Sequence, residues 1–143
     1  MRSHQPAITE ICRHDPRYAY EAYEFMFDAL GHSQKLHGRV PDEGEEEFGI
    51  EHHVSGPELL HGACDLARDE FGLLARTVFR HWGINRTDDI GEVIFNLIDA
   101  ELLCRTESDH RSDFQNVFDL DRALSEGFTI ELNETTFARR GSR

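Results

Sequence analysis

No run of this 143-residue chain approaches the ~20 consecutive apolar residues that a membrane helix needs. The first residues, MRSHQPAITEICRHDP, contain no apolar h-region, so an export signal is not expected. Cysteine is scarce. Its three copies, Cys12, Cys64 and Cys104, are odd in number and lack paired spacing, and read as reduced thiols of a cytoplasmic protein. Positive charge is also short, with 15 Lys and Arg against 28 Asp and Glu, for a net charge of −13. The deficit is concentrated in residues 1–56 and 86–124, each at −6, while residues 125–143 balance. An acidic surface repels phosphate backbones and anionic lipid, which speaks against nucleic acid and membrane as partners. The chain has no nucleophile elbow, phosphate loop, dinucleotide fingerprint or HExxH, so no residue is singled out as catalytic and no cofactor is expected.

What is present centres on residues Glu70 to Cys104, which read as two apolar-faced helices around a marked turn. Leu74, Val78, Phe79 and Trp82 form a helical stripe. Gly83 can adopt the left-handed conformation that ends a helix, and Ile84 is placed to fold back on Phe79 as in a Schellman cap. Thr87 is the expected N-cap of the next helix, with Asp88 and Asp89 on its positive end; Ile90 stands where a capping box would need Glu or Gln. Ile90, Val93, Ile94, Leu97, Ile98 and Leu102 share one side of that helix, opposite Glu92, Asn96 and Asp99. Each buried Val, Leu or Ile contributes roughly 1.5–3 kcal/mol, opposed by ordering entropy.

Upstream, Ala7 to Cys12 can form a short helical turn with Ile8 and Ile11 inward and Thr9 as a cap. Asp15-Pro16 reads as the start of a helix that ends at Gly31. Ala19, Ala22, Tyr23, Met26, Phe27 and Leu30 make its stripe, and Tyr18, Tyr20 and Phe25 fall off it. Residues 38–54 hold an acidic run, Asp42 to Glu47, and read as a long flexible loop with a short strand at Phe48 to Ile50. Ser55, Pro57 and Glu58 give a strong helix start with a capping box. Leu60, Ala63, Cys64, Ala67 and Phe71 follow on one face, and Phe71-Gly72 is expected to break the run.

After Leu102 two readings stay open. Cys104 to Glu107 and Phe114 to Leu120 can pair as a hairpin, which after three helices gives a winged-helix order. Alternatively a helix starts at Ser112, with Gln115 closing a capping box and Phe114, Val117 and Phe118 inward. A short helix from Asp119 to Ser125 and a strand at Phe128 to Leu132 suit either. The expected fold is therefore mainly α, a compact helical domain with a small β-hairpin in a winged-helix-like arrangement. It forms one domain over residues 1–143, with a disordered tail at about 134–143.

Several short motifs carry a resemblance. They are Asp15-Pro16-Arg17-Tyr18 with Ala22-Tyr23, His53-Val54-Ser55-Gly56, Phe71-Gly72, Trp82-Gly83-Ile84, Gly91 to Leu97, and Asp113-Phe114. Over roughly Ile8 to Leu124 the chain resembles a small family of uncharacterised proteins restricted to planctomycetes and verrucomicrobia. Ile90 departs from the aromatic residue expected there. The resemblance implies a bacterial cytoplasmic protein and supplies no activity or catalytic residue.

Three functional readings remain. His61 and Cys64 have the i, i+3 spacing that places two ligands on one helical face, and His53 lies close in sequence, which makes these three the candidates for a metal-dependent enzyme. A winged-helix transcription regulator would present Asp88, Asp89, Glu92 and Asn96 in the recognition position, where base readout favours Arg, Lys, Asn or Gln and phosphate contacts need a basic surround. The leading reading is a non-catalytic acidic module for binding another protein or for self-association, with Tyr18, Tyr20 and Phe25 as the candidate contact surface.

Overall fold

The structure is a computed structural model that describes residues 5–38, 54–103 and 110–125. The acidic run, the strands expected at Phe48 to Ile50, Cys104 to Glu107 and Phe128 to Leu132, and the tail at 134–143 all lie outside the described residues. Within them the architecture is mainly helical: α1 (Pro6–His14), α2 (Tyr20–Leu36), α3 (Gly56–Phe71), α4 (Ala75–His81), α5 (Thr87–Asp99) and a single turn, α6 (Leu120–Ala123). None of these helices is long and apolar enough to cross a membrane.

Proline opens α1 where its missing N–H is no loss, directly after Gln5, so Thr9 lies inside the helix and does not cap it. The Asp15-Pro16 signal does not start α2. Asp15 closes α1, and its carboxylate accepts the backbone N–H of Arg17 (3.2 Å), holding residues 16–18 in a turn before α2 begins at Tyr20. Nor does Gly31 end α2, which continues five residues to Leu36 and buries Ser33 and Gln34 against α3. The two helices pack closely at Ser33 and Gly62, where any side chain at position 62 would collide with Ser33.

The start of α3 is as expected. Ser55 Oγ accepts the Glu58 N–H (3.2 Å), and the Glu58 carboxylate accepts the Ser55 N–H (2.9 Å). Leu60, Ala63, Cys64 and Ala67 are buried along one face. Gly72, at φ +55°, breaks the chain into a 3₁₀ turn, Gly72–Leu74, before α4. That turn shifts the helical phase: Ala75 and Phe79 carry the buried face of α4, while Leu74, expected inside, is 63% exposed. The Schellman cap is complete, with Ile84 N–H donating to Phe79 O (2.8 Å) and Gly83 N–H to Arg80 O (3.0 Å). Phe25, Phe71, Phe79 and Trp82 pack at the corner with ring centroids 5.4–5.9 Å apart.

Helix α5 starts on the residue expected to cap it; Arg86 takes the cap position, and its N–H donates to Asp89 (3.1 Å), the capping-box contact not expected there. Thr87 is already helical, and its buried hydroxyl donates to Phe114 O (2.7 Å) and accepts from Val117 N–H (3.0 Å). Asp88 accepts the N–H of Asn116 (2.8 Å). These bonds fasten residues 110–117 across the start of α5. Phe114 seats between Gly56 and Gly91, with its ring edge-to-face against Phe95 at 6.3 Å.

The hairpin reading is thereby corrected. No strand occurs among the described residues, and the expected second strand, Phe114 to Leu120, is the end of a 3₁₀ turn (Arg111–Phe114), an irregular link and the start of α6. The rival helix from Ser112 does not form either: Asn116 sits at φ +44° and Val117 is 39% exposed. The winged-helix arrangement has no support here, since the first turn of α5 is covered by the chain that should have formed its wing.

Candidate functional site

A polar network links the ends of α1, α2 and α5. Its centre is Asp15, whose carboxylate takes a two-pronged contact from the Arg17 guanidinium (2.8 and 2.7 Å) and a hydrogen bond from Asn96 Nδ2 (3.0 Å). Asn96 also donates to the Tyr23 hydroxyl (3.1 Å). Glu92 accepts from Arg17 (3.2 Å) and Arg111 (2.9 Å), and Arg111 lies over the Phe95 ring at 5.1 Å. The Arg17 hydrogen bonds hold the Asp15 carboxyl well below the usual carboxylate range, against the effect of its burial. Burial raises the Tyr23 hydroxyl.

Beside this network runs an open groove of about 370 Å³ between α1 and α5. Ala7, Ile11 and Ala100 give it apolar walls, and Glu10, His14, Asp15, Asn96 and Asp99 give it polar ones. Asp15 is spent on Arg17. Glu10 and Asp99, 57% and 69% exposed, stand at the rim, where Glu10 meets His14 at 3.1 Å and Asp99 meets Arg111 at 3.6 Å.

A second, half-buried cluster lies in the α2–α3 seam. The imidazoles of His37 and His61 meet edge-to-face at 5.5 Å, and Glu58 Oε2 lies 3.9 Å from His37 Nδ1. One turn away His32 Nε2 contacts Asp65 Oδ2 at 2.7 Å, and Arg68 reaches both Asp65 (3.4 Å) and the carbonyl of Ala123 (2.6 Å).

The residues nominated from sequence are distributed differently. His53 lies outside the described residues. His61 faces His37, whereas Cys64 is fully buried in the core, where desolvation pushes its thiol up to about 12. Among the described residues no group of three His, Cys, Asp or Glu is arranged to hold a metal ion. Phe25 is 5% exposed inside the aromatic corner and Tyr18 is 3% exposed, so neither contributes to a docking surface. Tyr20 is half-buried, its hydroxyl accepting the Gln5 N–H at the start of α1. Sequence reading missed the groove because Asp15 looked like a helix start, and because Asn96 and Asp99 looked like a solvated face.

No family model, curated protein or solved structure matches the chain. A functional reading therefore draws on the residues and their geometry.

Proposed function

We propose that this is a non-catalytic, acidic, cytoplasmic helical module that binds another protein, and that the groove between α1 and α5 receives a cationic side chain of that partner. The observation that carries the reading is the groove itself, with apolar walls for the stem of an arginine or lysine and the rim carboxylates Glu10 and Asp99 for its head. The excess of acidic residues, −13 in all, would draw a basic segment towards it. The likeness to the planctomycete and verrucomicrobial family belongs to this proposal and adds a bacterial setting.

The test is titration of labelled arginine-rich and glutamate-rich peptides against the native protein, Asp99→Lys and Ala100→Trp. The arginine peptide should bind with an affinity that falls as salt is raised. Ala100→Trp, which fills the groove, should weaken it about tenfold, or about 1.4 kcal/mol. Equal binding of both peptides, or binding indifferent to both variants, would remove the groove from the reading. Concentration-dependent sedimentation without any peptide would redirect it to self-association.

A further inference from the structure

We propose that the seam between α2 and α3 is a pH-sensitive latch, closed while the facing imidazoles of His37 and His61 carry at most one proton and opened when both are charged. The latch is independent of the groove. The rings lie 5.5 Å apart across the seam, and the Glu58 carboxylate lies 3.9 Å from His37. One imidazolium therefore has a counter-charge, and a second would face the first across a buried gap.

The other titratable and charged groups facing His61 are His32 on α2 and Asp65 and Arg68 on α3. Asp65 is already shared by His32 and Arg68, so among the described residues the seam holds no uncommitted carboxylate for a second proton. Charging an imidazole puts a proton on both ring nitrogens. At His61 that creates a buried Nδ1–H with no acceptor among the described residues. The seam is tight next to His61, where a side chain at Gly62 would strike Ser33.

The direction of the pH effect follows from burial, which lowers His61 below its ordinary value, with His37 lowering it further. The folded value thus lies below the unfolded one of about 6.5. Stability is held above that pH and lost as pH falls through the folded value.

Hydrogen exchange followed by NMR tests the latch, comparing protection factors at pH 7 and pH 5 in the native protein and in His61→Gln. Amides at the end of α2, Gln34 to His37, should lose about tenfold protection per unit by which the pair's protonation is opposed, while Val93 to Leu97 of α5 hold theirs. His61→Gln should abolish the difference. Uniform loss over all helices, or the same local loss in His61→Gln, would overturn the proposal. Should His61→Gln fail to fold, titration of the His61 ring in the native protein decides: a midpoint below 6.5 supports the latch, and one at or above it refutes it.

Discussion

The Tyr18 hydroxyl donates a 2.7 Å hydrogen bond to one oxygen of Asp89, whose other oxygen accepts the backbone N–H groups of Asn85 (2.9 Å) and Arg86 (3.1 Å). One carboxylate thus joins the turn before α2 to the start of α5. Tyr18→Phe should lower stability by about 1.5–3 kcal/mol, the range for a hydrogen bond to a charged group. Asp89→Ala should cost more, since it strips the acceptor from two backbone donors as well. Urea denaturation of both variants checks the order; an equal or smaller loss in Asp89→Ala contradicts it.

Asp15 makes the fold acid-sensitive. Its carboxyl titrates well below the unfolded value of about 3.9 because Arg17 and Asn96 bind the charged form. A folded value below the unfolded one gives stability that is present above pH 4 or so and is lost as pH falls towards the folded value. Asp15→Asn should therefore be less stable than the native protein at pH 7, with the gap narrowing steadily as pH falls below about 4. A constant gap across denaturation midpoints measured from pH 7 to pH 2 would show that the linkage is absent.

Thr87 is the clasp for residues 110–117. Thr87→Val keeps the shape but removes both the donor to Phe114 O and the acceptor for Val117 N–H. The expected loss is about 1–3 kcal/mol, because buried backbone groups are left unmatched. It should be accompanied by faster exchange or proteolysis at 110–117 before any change in α2 or α3. Global unfolding without that local stage would place the clasp elsewhere.

Two helix ends predict opposite signs. Gly83 sits at φ +93°, and a side chain there would strike the carbonyl oxygen of Arg17, so Gly83→Ala should cost upwards of about 2 kcal/mol from left-handed strain and the clash together. Glu101 occupies the same kind of position after α5 at φ +62°, with Leu102 N–H bonded back to Leu97 O at 2.9 Å. Glu101→Gly should stabilise by about 0.5–1 kcal/mol, the left-handed strain relieved less the added freedom of the unfolded chain. Thermal midpoints of the pair should move in opposite directions; a shared direction would mean that backbone conformation does not dominate at these sites.

What could be read from the sequence was local. Ser55 with Glu58, and Gly83 with Ile84, satisfy backbone groups three to five residues away, and both motifs formed as expected. Signals of the same strength misled where a distant partner claimed the side chain. Asp15 binds Asn96, 81 positions on, and Thr87 binds Phe114, 27 positions on, so neither served as a helix cap. Leu60, Ala63, Cys64 and Ala67 of α3 and Ile90, Val93, Ile94 and Leu97 of α5 are buried as expected, whereas α5 ends at Asp99, before Leu102, Phe95 joins its buried face, and the 3₁₀ turn at Gly72–Leu74 moved Leu74 out of its assumed phase. The meeting of His37 with His61 depends on how α2 crosses α3, and no spacing along the chain encodes that crossing.

The clasp at Thr87 also sets an order of assembly. The hydroxyl and the Asp88 carboxylate at the head of α5 wait for backbone groups that leave the ribosome 27–30 residues later, and the slot between Gly56 and Gly91 waits for the Phe114 ring. A growing chain halted short of Val117 would thus carry an open seam along the middle of the protein. The head of α5 therefore gains its last hydrogen-bond partner only once the chain has grown to Val117.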